Sequence, residues 1–97
     1  MIFDAGTTTV STSGTEQRLA NVPNRVLWLK AKALAANSGI VYLGVSDVST
    51  TNGYELSVGN EIEISFADAG GTIAFSTVYV DAASNGDKLC WTVILEG

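Results

Sequence analysis

The sequence predicts an all-β chain: a small antiparallel β-sandwich, or jelly-roll-like domain, with an extended N-terminal arm. Three observations carry that expectation. Apolar residues recur with period two, most cleanly at Ile62, Ile64 and Phe66, which alternate with Glu61, Glu63 and Ser65. Strand-like runs return roughly every ten residues, separated by turn residues such as Asn52-Gly53 and Asn85-Gly86. Helix signals are nearly absent.

In chain order, Thr7 to Ser13 is β-branched and polar, suited to an edge strand or to an arm lying on a neighbour. Val26 to Ala36 is rich in the helix formers Leu, Ala and Lys, but it alternates. Leu27, Leu29, Ala31 and Ala33 point one way and Trp28, Lys30 and Lys32 the other, which reads as a strand. Asn37-Ser38-Gly39 is a turn, Ile40 to Val45 a strand, and Ser46 to Gly53 a polar loop. Tyr54 to Leu56 is a short extended piece, Glu61 to Phe66 a strand, and Gly70-Gly71 a break. Ile73 to Val80 and Leu89 to Leu95 complete the set, joined by a turn over Ala83 to Asp87. The expected core is Leu27, Leu29, Leu43, Ile62, Ile64, Phe66, Val80, Trp91 and Val93.

With 97 residues the chain has material for one core. Residues 1–14 are read as the arm or edge strand, and 15–97 as a single sandwich domain. The composition is 46% hydrophobic and 15% charged, against about 25% charged in ordinary soluble domains. So few charges point to apolar surface covered by other copies or another protein. The net charge is −5, and from Ala33 onward Lys88 is the only base against eight acids. That balance opposes nucleic-acid binding, which needs clustered Lys and Arg. No apolar run approaches the roughly 18 residues of a membrane span, and Met1 to Val10 lacks the basic start and apolar stretch of a signal peptide. Synthesis and retention in the cytoplasm, or release by lysis, is expected.

Candidate chemistry is sparse. The chain has no histidine, which removes the commonest general base and metal ligand. Gly70-Gly71 is not followed by the Lys-Ser/Thr of a phosphate loop. Glu61 and Glu63 share a strand face and could form an acid/base pair, but alternating Glu beside Lys30 and Lys32 reads as a soluble edge with cross-strand ion pairs. Asp47, Ser49, Asn52 and Asp81 carry oxygens suited to Ca²⁺, at spacings that fit turn capping rather than a calcium loop. Cys90, the single cysteine, sits among aliphatic residues and reads as an inert core thiol rather than a nucleophile. No catalytic residue, metal or cofactor is expected. Among the aromatics, Trp28 on the lysine face reads as a protein–protein contact rather than a sugar platform. The candidate interface set is Thr7, Thr8, Thr9, Val10, Trp28, Tyr42, Tyr54 and Tyr79.

Three segments carry a resemblance: Gly39-Ile-Val-Tyr-Leu-Gly-Val-Ser-Asp-Val-Ser-Thr-Thr-Asn-Gly53, Leu56-Ser-Val-Gly-Asn-Glu61, and Val78-Tyr-Val-Asp-Ala82 with Asn85-Gly-Asp-Lys-Leu-Cys-Trp91. Together with Thr15 and Leu19 upstream, they look like the small virion-associated proteins of tailed bacteriophages, over most of the chain. The resemblance departs at Val58 and Asn60, where a Pro-Gly-Glu type turn is expected. It implies a structural role in the virion: a capsid decoration or cement protein on the major capsid protein, self-associating as a homotrimer. The alternative is a neck, tail or fibre-tip component that binds a receptor or glycan. Attachment is expected through apolar burial and strand addition by the arm.

Overall fold

The alternating pattern produces nine strands and no α-helix in the computed structural model, which describes residues 1–97. The strands are β1 (Ile2–Thr9), β2 (Gln17–Arg18), β3 (Arg25–Ala33), β4 (Val41–Gly44), β5 (Tyr54–Leu56), β6 (Glu61–Ser65), β7 (Ile73–Ala74), β8 (Tyr79–Ala82) and β9 (Lys88–Leu95). One sheet runs β1-β9-β3-β6, with β7 pairing the start of β3; the other runs β2-β8-β4-β5. Every pairing is antiparallel. This is the two-layer arrangement expected of a small sandwich.

Strand β9 organises the larger sheet. Leu89, Trp91, Val93 and Leu95 are buried, while Lys88, Cys90, Thr92 and Ile94 face outward and are half-buried. The inner residues meet Val41, Leu43, Leu56, Val80 and Ala82 of the smaller sheet. Trp91 packs edge-on against Phe75, with ring centroids 5.1 Å apart. The turns follow their sequence signals. Gly86 has φ +85° and Gly53 φ +145°, values that favour glycine after Asn.

Buried carboxylates fasten the turns to the sheets. Asp87 is 4% exposed, and its two oxygens accept the N–H groups of Ser38 (2.8 Å) and Gly39 (2.9 Å). A charged acceptor in a dry site makes these among the stronger hydrogen bonds in the chain.

Four sequence expectations are corrected. Residues 2–9 are no free arm but an edge strand, the alternative the sequence left open: β1 pairs with β9 of the same chain along its whole length, from Ile2↔Leu95 to Thr9↔Lys88. Val10, fully buried, then bonds both ways with the turn, its N–H to the Asp87 carbonyl and its carbonyl to the Gly86 N–H. Val10 is therefore not alone in holding the segment, because the β1–β9 ladder supplies the backbone pairing. Leu27 leaves the core because a bulge between Val26 and Trp28 shifts the register, so Val26 and Leu29 point inward instead. Ile73 to Val80 is broken by a 3-10 turn over Phe75–Thr77, which sends Phe75 into the core. Ile62, Ile64 and Phe66 do pack against the core, but they are only half-buried, since β6 is a sheet edge.

Candidate interaction face

The outer surface of the five-stranded sheet is ordered in rows by the pairing registers. One row reads Phe3, Ile94, Trp28 and Ser65; the next Ala5, Thr92, Lys30 and Glu63; the third Thr7, Cys90, Lys32 and Glu61. The first row is apolar. Met1, Phe3, Leu27, Trp28, Ala67 and Ile94, with Ser65, line a shallow groove of about 490 Å³. Phe3 is 72% exposed and Met1 86%. Exposed apolar residues scattered singly are ordinary; here six border one groove, which makes this face the candidate contact surface.

The remaining rows carry the charges of this face. Lys30 Nζ lies 3.7 Å from Glu61 Oε1, an exposed pair of small energetic weight. Trp28 Nε1 donates to Glu63 Oε2 at 2.8 Å, which fixes the indole across β3 and β6. Of the expected ion pairs with Lys30 and Lys32 one forms, Lys30–Glu61, while Glu63 accepts from Trp28 instead. At the open edge of β1 the Ala5 N–H donates to the Asp4 carboxylate at 2.9 Å. A side chain therefore occupies one of the donors an edge strand leaves free.

The structure divides the interface candidates. Trp28 and Thr7 lie on this face. Thr9 sits at its far end, opposite Lys88. Thr8 points inward, where its hydroxyl accepts from Trp91 Nε1 at 3.0 Å and donates to the Leu19 carbonyl. Val10 is core. The three tyrosines belong to the other sheet: Tyr42 is buried, Tyr54 is exposed, and Tyr79 lies under the Arg18 guanidinium at 5.9 Å. They form no common platform with Trp28.

Cys90 is corrected from core thiol to outward residue. It lies between Thr7 and Lys32 on the outer face, with its Sγ donating to the Lys32 carbonyl at 3.4 Å. The proposed calcium oxygens are not brought together. Asp47 is exposed in the loop before β5, and its carbonyl accepts from Asn52 Nδ2. Asp81 is fully buried on β8, where Oδ1 accepts the Gly14 and Ala82 N–H groups. No three acidic or cysteine side chains form a group able to hold a metal.

Phe3 and Ile94 were not singled out by sequence, and Leu27 was expected in the core. Ile94 had a signal, since it alternates with Trp91, Val93 and Leu95; Phe3 had none that was local. Comparison with protein-family models, curated proteins and solved structures gave no match.

Proposed function

We propose that this chain is a structural subunit of a tailed-bacteriophage particle, a decoration or cement protein that binds the major capsid protein as a homo-oligomer. The observation that carries the reading is the outer face of the five-stranded sheet, where an apolar groove lies beside rows of paired Lys and Glu. Such a surface suits protein contact: an apolar centre for burial and a polar border for register. The low charge content and the resemblance of Tyr42-Leu-Gly-Val-Ser-Asp-Val-Ser49 and Tyr79-Val-Asp81 to virion proteins support it.

Attachment rests on the folded sandwich rather than on a mobile arm, because β1 is committed to its own sheet. The mechanism is burial without chemistry: a rigid sandwich presents one face, and cyclic association repeats that face with the symmetry of the shell. Co-sedimentation of the purified chain with undecorated capsid shells tests the reading. Saturable binding in fixed ratio to the shell protein is expected; failure to sediment with shells, necks or tails would overturn it.

A further inference from the structure

We propose that the apolar groove is where copies of this chain meet, with Phe3 of one copy seated between Leu27, Trp28 and Ile94 of the next. The inference rests on the reading of the chain as a homo-oligomer and assigns the contact that reading leaves open.

Two observations select a second copy as the occupant. The first is that knob and socket share one patch. Phe3 and Met1 project at the rim, and the groove beside them holds about 490 Å³. Because both parts lie on one patch, the contact is self-complementary and closes a twofold pair of copies with no other component. The second is charge. Copies of a chain with net charge −5 repel at most approaches. The groove is lined by uncharged side chains, and the strands of this face bear Arg25, Lys30, Lys32 and Lys88 against Asp4, Glu61 and Glu63. Here the charges nearly balance, so repulsion between copies is weakest, while apolar area remains to be buried. The Trp28–Glu63 hydrogen bond holds one wall of the socket in place before association, so less ordering is required on contact.

The test is sedimentation velocity over a wide dilution series, on the full chain and on Phe3→Ser. Phe3 is mostly exposed in the single chain, so at dilutions where both proteins are monomeric the variant should keep the wild-type circular dichroism and melting curve. The wild type is expected to form a discrete oligomer, and Phe3→Ser to weaken association by at least about tenfold. Leu27→Lys, on the socket side, should do the same. Dilution should also shift the Trp28 fluorescence to the red as its ring is uncovered, while the enclosed Trp91 stays constant. A wild type that is monomeric throughout overturns the inference. So does an oligomer indifferent to both substitutions. A monomeric wild type whose binding to shells is lost in Phe3→Ser would give the groove to the shell protein, overturning the second copy while leaving the virion reading intact.

Discussion

Gly6→Ala tests the placement of the first strand. A Cβ built on Gly6 would lie 2.5 Å from Cζ2 of Trp91 and 3.0 Å from two further ring atoms. Trp91 cannot easily yield: its ring is set against Phe75, and its Nε1 donates to Thr8 on the same strand as Gly6. One methyl group forced into such a site costs about 1–3 kcal/mol. Against this, replacing glycine reduces the entropy of the unfolded chain, worth about 0.4–1 kcal/mol. The expected net loss is about 1–2 kcal/mol, or roughly 5–15 °C in melting temperature for a domain of this size. Thermal denaturation by circular dichroism reads it, and a weakened near-ultraviolet tryptophan signal should accompany the fall. Gly71→Ala is the control, since no atom lies within 4 Å of its built Cβ and its φ is not positive. If Gly6→Ala melts with the wild type, Trp91 does not rest on β1, and the segment is an arm after all.

Two further outcomes follow from the same packing. Asp87→Ala removes the buried acceptor of two part-buried backbone donors, Ser38 and Gly39, and should cost about 1–3 kcal/mol, measurable by urea titration; Asp87→Asn, retaining one acceptor, should lose about half as much. Deleting residues 1–13 removes an eight-residue strand and the buried Val10, so the truncated chain should show no cooperative thermal transition. A truncated chain that melts like the wild type would contradict the sheet order.

What the sequence made legible was regular alternation. The Glu61, Glu63 and Ser65 pattern placed β6, and Lys30 and Lys32 do stand opposite Glu63 and Glu61. The first strand was hidden because its inward positions, Ile2, Asp4, Gly6 and Thr8, are not an apolar series. Trp91 fills the space that side chains would otherwise occupy, so a glycine there records a neighbour distant in sequence. Leu27 was misread because a bulge reverses parity, and a bulge is a property of pairing rather than of composition. Cys90 was misread despite a usable signal: inward Trp91 and Val93 place it outward, and the aliphatic character of its neighbours was weighed instead. The groove itself joins residues from β1, β3 and β9, which only the sheet order brings side by side.

The central claim, that this chain is a stoichiometric part of a phage particle, is tested most directly by its copy number. Quantitative mass spectrometry of gradient-purified phage particles from cells that produce the chain would give its amount relative to the major capsid protein. A fixed ratio near that of the shell lattice is the predicted result. A handful of copies per particle would move it to the tail tip and the alternative role, and its absence from intact particles would contradict the account.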